Sequence, residues 1–189
     1  MQTKIPISHQ IETPRFLLKI PNEAEIPFVF SATRFEGFND GMVWNPPEKQ
    51  EDLIAPLQNN IKAWEIGKAY VFTITKKEDG TPLGRIGIRK KNKENRWNVG
   101  FWTHPESQKQ GIMTEALKGV LRFGFEELSA TEIEASHALW NTASEKVLKR
   151  NGMTFERYLA EGFQKNGQWV EENLLVIDLE KWNKIAITP

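Results

Sequence analysis

Between residues 70 and 138 the hydrophobic period of the chain changes twice, and this limits the folds open to it. Tyr70 to Thr75, Leu83 to Arg89 and Trp97 to Thr103 read as strands. They are joined by Asp79-Gly80 with Pro82, and by the polar turn Lys90 to Asn95, so they form an antiparallel meander. Apolar residues then recur at helical spacing, at Met113, Leu117, Val120, Leu121 and Leu128, before Thr131 to Ala138 reads as a strand again. Strand, helix and strand in succession require a crossover, and hence at least one parallel pair. The sheet must therefore be mixed.

The flanking segments extend the pattern. Arg15 to Ile20 reads as a strand stopped by Pro21, and Asn22 as the N-cap of a helix running towards Ala32 and bent at Pro27. Residues 35–47 have loop composition yet carry Phe35, Phe38 and Trp44, so a functional or packed loop is expected. Leu53, Leu57, Ile61 and Trp64 mark a helix from Glu48 to Ile66, with Pro56 a candidate kink. Asn141 to Asn151 reads as a helix stopped by Gly152, followed by strands at 154–163 and 169–178 around Asn166-Gly167. The predicted order is β-α-α-β-β-β-α-β-α-β-β, a seven-stranded α/β (α+β) sheet, mostly antiparallel, with helices on both faces. No repeat or linker divides residues 1–189, and residues 1–9 are expected to be a loose arm.

Composition narrows the chemistry. The chain has 25 Lys plus Arg against 25 Asp plus Glu, so nothing in the total favours nucleic acid or an anionic membrane. It has no Cys, which excludes disulfides, thiolate metal sites and a cysteine nucleophile. Its three histidines, His9, His104 and His137, lack metal-ligand spacing, so no metal is expected. The N-terminus has no apolar signal region and no run approaches a membrane span. A cytoplasmic setting is the expectation.

The most informative stretch runs from Phe101 to Ala116, FWTHPESQKQGIMTEA. A strand ends, a polar turn follows, and a helix opens at Gly111. The first N–H groups of a helix lack internal partners and feel the positive end of its dipole, so they suit an anion. Gly111 removes a side chain that would keep a phosphate away. The competing reading is a capping box, Ser107-x-x-Gln110, on a helix that binds nothing.

Gln108-x-x-Gly111-x-Met113-Thr114-Glu115-Ala116 resembles the coenzyme A pyrophosphate loop of the GNAT acetyltransferases, in the form carried by the RimJ/RimL-like branch. Three further segments are similar to that branch and follow in the same order. They are Glu12-Thr13-Pro14-Arg15-Phe16-Leu17-Leu18, Val99-Gly100-Phe101-Trp102, and Asn141-x-x-Ser144-x-x-Val147-Leu148-x-x-Asn151-Gly152-Met153. The resemblance implies the GNAT fold, with a central parallel pair splayed into a V between the strand ending at Trp102–Thr103 and strand 131–138. It implies acetyl-CoA as cofactor, with the pantetheine arm along Phe101, Trp102 and Thr103. The pyrophosphate would lie on Gln108, Lys109, Gln110, Gly111, Ile112, Met113 and Thr114. Asn141 is implied near the pantetheine arm or an ordered water. Ser144 matches the general acid that protonates the departing thiolate. Gln108 stands where Arg is frequent, which removes a charge-assisted phosphate contact unless Lys109, Lys146 or Arg150 compensates.

An attacking ammonium must lose a proton. Many relatives carry Glu two residues before the glycine of the I-G-Y-W segment; here that position is Asn98, which cannot act as a base. Glu36, Asp40, Glu134, Glu171, Glu172, His104 and His137 are the alternatives, as is a water relay. Residues 35–67 carry net −4 and residues 85–96 net +5. An acidic wall with Phe35, Glu36 and Trp44 would suit a cationic acceptor, although a solvated helix face explains the same charges. The expected activity is acetyl transfer to a primary amine, a protein N-terminus or a small cationic amine, by direct attack. The alternative is an inactive coenzyme-A-binding module. Surface Trp and Phe leave a homodimer open.

Overall fold

A computed structural model of the protein describes residues 5–93 and 95–187. Its strands are β1 (Gln10–Glu12), β2 (Phe16–Lys19), β3 (Ala69–Lys76), β4 (Pro82–Lys90), β5 (Arg96–Thr103), β6 (Glu132–Ala138), β7 (Thr154–Lys165) and β8 (Gln168–Asp178). Its α-helices are α1 (Ile26–Ala32), α2 (Ile54–Glu65), α3 (Ile112–Glu126), α4 (Thr142–Arg150) and α5 (Leu179–Ile187). The sheet has eight strands in the order β1-β2-β3-β4-β5-β6-β8-β7, one more than expected. The extra strand is β1, whose three residues pair antiparallel with β2. Every pairing is antiparallel except β5 with β6.

The expected loose arm is in part docked. Ile5 is buried, and its carbonyl accepts a hydrogen bond from the Trp64 indole at 3.1 Å; residues 1–4 of the arm lie outside the described residues. Asn22 is a cap, with a full capping box to Glu25, but of the 3-10 turn Glu23–Glu25 and not of α1 itself, which starts one turn later at Ile26. Pro27 does not bend α1, because it falls in the first turn, where no intrahelical N–H is needed. Pro56 escapes the same way in α2. The helix α5, which the sequence reading lacked, stacks Trp182 on Phe125 with ring centroids 5.6 Å apart.

The core lies between α3 and one sheet face. Tyr70, Phe72, Ile86, Ile88 and Trp97 meet Leu117, Val120, Leu121 and Phe123 there, all but fully buried. Gly119 and Gly124 let the helix approach closely: a Cβ at 124 would lie 2.7 Å from Ile133 and 3.0 Å from Ile88. The opposite face carries Thr73 and Arg85, covered by Glu25 ahead of α1, and Arg89, which donates to Asn60 of α2. Helices therefore cover both faces. No helix among the described residues is long and apolar enough to cross a membrane.

The basic segment 85–96 is not an open cationic patch. Arg85 faces Glu25, Lys91 faces Glu134, Lys93 faces Glu132, and Arg96 is buried among three glutamates. The acids of 48–65 lie exposed along α2 and the turn before it, so the helix-face reading accounts for most of that net charge.

Candidate active site

The parallel pair is short. β5 and β6 are in register only at Arg96–Glu132, Trp97–Ile133 and Asn98–Glu134. Beyond Asn98, β5 keeps β4 on one side to Thr103, while β6 continues along β8 to Ala138. The two strands part, and the inner edge of residues 99–103 has no strand against it among the described residues. Gly100 is exposed there with open space where a Cβ would point, and Phe101, Trp102 and Thr103 are half-buried. An unpaired strand edge offers N–H and C=O groups in a row to an extended amide-bearing chain.

At the mouth of this cleft the chain leaves β5 through His104 and a short turn, and enters α3 at Gly111. The capping-box reading fails. Helix α3 starts at Ile112, its N-cap is Gly111 at φ +73°, and no side chain caps it. Its first N–H groups stay available, and only glycine holds this left-handed position without strain. The segment 108–111 thus leads into an open cradle of uncapped helix N–H groups rather than a closed cap. Thr114 turns its carbonyl to the Asn151 amide at 3.1 Å, which ties α3 to α4.

One cation at this loop was not assigned a role from sequence. Arg15 lies 52% exposed on the side of α3 facing β1, donates to the Gln110 carbonyl at 3.1 Å, and pairs with Glu115 at 2.7 Å. Glu115 also accepts from the Arg15 N–H and the Thr13 hydroxyl. Burial works to raise the Glu115 carboxyl, but these hydrogen bonds outweigh it and hold it below the usual range. A guanidinium is therefore fixed beside the cradle, where Gln108 supplies no charge.

Across the cleft, Asn141 is the N-cap of α4 and accepts the Ser144 N–H at 3.1 Å. The Ser144 hydroxyl, half-buried in the first turn, has no hydrogen-bond partner among the described residues. The loop 35–47 reaches this point. A Cβ on Gly41 would lie 3.3 Å from the Trp140 ring and 3.5 Å from the Asn141 amide nitrogen. The loop is stapled to the β7–β8 hairpin by Lys165, whose ammonium donates to the Met42 and Trp44 carbonyls at 3.1 and 2.9 Å.

Aromatic rings line the face of β5 away from α3. Phe28 stacks on Trp102 and His104, Phe38 meets Trp102 edge-on at 5.4 Å, Trp44 adjoins Phe38, and Phe35 packs on His104. Phe35 and Trp44 are thus brought to the cleft. Glu36 is exposed and takes no polar partner among the described residues, so it is not brought into this cluster.

Residues 15–154 match the acetyltransferase (GNAT) domain family. The chain is 28% identical over 112 residues to the uncharacterized N-acetyltransferase YnaD of Bacillus subtilis (strain 168), which covers 59% of this chain and 66% of that one, just under two thirds. Its fold is similar to a GNAT-family acetyltransferase from Bacillus anthracis (TM-score 0.81, 22% identity, 91% of this chain and 99% of that one). It is also similar to RimL, a ribosomal L7/L12 α-N-protein acetyltransferase solved with coenzyme A (TM-score 0.78, 17% identity, 92% and 99%). The uncapped α3 start, the glycine at its N-cap and the open β5 edge fit the phosphates and amides of that cofactor. The chain belongs to the GNAT family of N-acetyltransferases, whose acetyl donor is acetyl-CoA.

Proposed function

We propose that the protein transfers an acetyl group from acetyl-CoA to a primary amine, a protein N-terminal α-amine or a small cationic amine, with both substrates bound together. The observation that carries this reading is the parting of β5 and β6 after Asn98 and Glu134, directly beside an uncapped helix start. Acetyl-CoA supplies an activated thioester carbonyl. In this reading the α3 N–H groups and the Arg15 guanidinium bind its phosphates. The exposed edge of Phe101, Trp102 and Thr103 aligns the pantetheine amides, and a backbone N–H of that edge polarises the carbonyl oxygen. Asn141 orients Ser144 through the N-cap bond, and the free Ser144 hydroxyl delivers a proton to sulfur. With no Cys in the chain, acetyl transfer passes through no cysteine intermediate.

The acceptor enters on the face bearing Phe28, Phe38, Trp44 and Trp102, under the loop held by Lys165. Aromatic faces suit an alkylammonium or peptide amine. Calorimetric titration with acetyl-CoA, then thiol release over a panel of N-terminal peptides, polyamines and aminoglycosides, tests the reading. Absence of acetyl-CoA binding defeats it. Binding without turnover across the panel favours the inactive-module alternative, for which Asn98 in place of a carboxylate speaks.

Ser144→Ala is expected to lower kcat about 100-fold with acetyl-CoA affinity unchanged. A loss confined to affinity would make Ser144 a cofactor contact instead. Lys165→Met should release the loop and raise the acceptor KM several-fold, with acetyl-CoA binding preserved in a calorimetric titration.

A further inference from the structure

Of the titratable groups near the cleft, most are already engaged. Both ring nitrogens of His104 are bonded, Nδ1 to the Glu106 N–H and Nε2 to the Ser31 hydroxyl. His137 shares the parity of Ile133 on β6 and so lies on the α3 face, away from the aromatic cluster, with Nδ1 against the Ala138 carbonyl and Nε2 enclosed without a hydrogen-bond partner among the described residues. Glu134 is clamped by Arg96 and Lys91, and Glu171 takes the Tyr158 hydroxyl. Glu36 and Asp40 are exposed to water.

Glu172 is different. The unbroken β6–β8 register pairs it with Ala138 and puts it on the same sheet face as Glu134, hence the face of Asn98 and Trp102 where the aromatic cluster lies. It is half-buried and has neither a hydrogen-bond nor an ion-pair partner among the described residues. Val170, next on its strand and face, lines a cleft of about 340 Å³ with Asp40, Trp140 and Trp169, under the stapled loop. Gly162 of β7 makes room for the acid. A Cβ there would fall 2.5 Å from Glu172 Cγ and 2.6 Å from Oε2. Gly162 sits where the β7–β8 register shifts, so the strand bulges at the point where the carboxylate rests.

We propose that Glu172 is the general base that takes the proton of the acceptor ammonium, the role Asn98 cannot fill. The inference rests on the acetyl-transfer reading. Glu172 carboxylate accepts one proton from R–NH3+, and the freed nitrogen lone pair forms the bond to the acetyl carbon as the carbon–sulfur bond breaks. The second nitrogen proton goes to the thiolate through Ser144, and Glu172 returns its own proton to water. Burial without a partner raises the Glu172 carboxyl above the usual range, towards the basicity such a step needs. Charged and titratable groups on the surrounding elements are Glu156, Arg157, Glu161 and Lys165 on β7, Glu171 and Asp178 on β8, Glu132, Glu134 and His137 on β6, and Glu36 and Asp40 on the loop. The Lys165 ammonium is spent on two carbonyls.

The experiment compares Glu172→Gln and Gly162→Ala with the wild type. Acetyl-CoA binding is read by calorimetry, and carboxyl titration by NMR of the unliganded protein. Turnover is read by thiol release with a free-N-terminus pentapeptide, and with acetohydrazide, whose nitrogen arrives unprotonated. The expected result for Glu172→Gln is unchanged acetyl-CoA affinity and loss of one Glu resonance titrating above the ordinary range. Its kcat/KM for the peptide should fall about 100-fold, with the wild-type acid limb abolished, and its turnover of acetohydrazide should be nearly intact. Gly162→Ala should show a weaker version of the same pattern. The proposal is overturned if that resonance stays, if the peptide rate is unchanged, or if both acceptors lose rate equally. A wild type that binds no acetyl-CoA defeats the acetyl-transfer reading itself, and is told apart by its own calorimetry.

Discussion

Gly111→Val is expected to weaken acetyl-CoA binding by more than about 100-fold in a protein that still folds. The residue holds φ +73°, and a branched side chain in the left-handed region costs about 1–2 kcal/mol. The space around it is not the obstacle to folding, since the nearest atom to an added Cβ is the Arg15 guanidinium at 3.5 Å, an ordinary contact. The obstacle is to the ligand. Two methyl groups in front of the Ile112 and Met113 amides keep a phosphate beyond hydrogen-bond range. Charge-assisted hydrogen bonds contribute about 1.5–3 kcal/mol each, so two lost bonds exceed about 3 kcal/mol, past 100-fold in Kd. Calorimetric titration reads the effect, and Gly111→Ala, smaller and unbranched, should lose less. An affinity for Gly111→Val within threefold of wild type would place the phosphates elsewhere.

Arg96→Met is expected to lower the free energy of unfolding by about 3–5 kcal/mol. Arg96 is 7% exposed. Its Nε meets Glu134 at 2.5 Å, Nη1 meets Glu132 at 3.0 Å, and Nη2 meets both Glu156 oxygens at 2.9 and 3.0 Å. Burial alone would lower the guanidinium pKa, but the bonds to Glu156 and Glu134 outweigh it and raise it. Methionine keeps much of the apolar stem and removes the charge, leaving Glu134, itself 5% exposed, with only Lys91 at 3.4 Å. An uncompensated buried carboxylate is the costly product. Urea denaturation measures the loss, and Arg96→Met with Glu134→Leu should recover part of it. Arg96 also anchors the first rung of the parallel pair, so the single variant should bind acetyl-CoA less well. A loss below about 1 kcal/mol would mean that water already screens the cluster.

The strands of the meander, the α3 crossover and the β7–β8 hairpin were legible because each announces itself locally. Asn166 and Gly167 both take positive φ, as a two-residue hairpin requires. The missed β1 has three residues and exists only through β2, so no local period marks it. The missed α5 did carry a signal. Asp178 accepts the Lys181 N–H at 2.7 Å as an N-cap would, directly after a strand with no intervening turn residue. The site was legible at 101–116 and 141–153, where glycine and N-cap residues sit at fixed offsets. It was not legible where it depends on distant pairs. Arg15 meets Glu115 100 positions away, Lys165 reaches back to Met42 and Trp44, and Glu172 shares the sheet face of the aromatic cluster only through strand register. The pairing of the basic segment 85–96 was hidden for the same reason, since its neutralising glutamates come from β6, β7 and the turn ahead of α1.

The short parallel junction also has a mechanical meaning. Among the described residues, strands β1 to β5 and strands β6 to β8 form two plates whose parallel junction is three register pairs long, with the Thr131 N–H to Asn95 carbonyl bond at its end. The cleft is a crack in a continuous sheet, and Asn98 and Glu134 are its tip. Load on the plates concentrates at a crack tip, and there the structure sets Arg96 as a rivet through Glu132, Glu134 and Glu156. A chain of amides seated along residues 99–103 closes the crack as a splint does. Occupancy would then stiffen the whole plate, well beyond the atoms it touches.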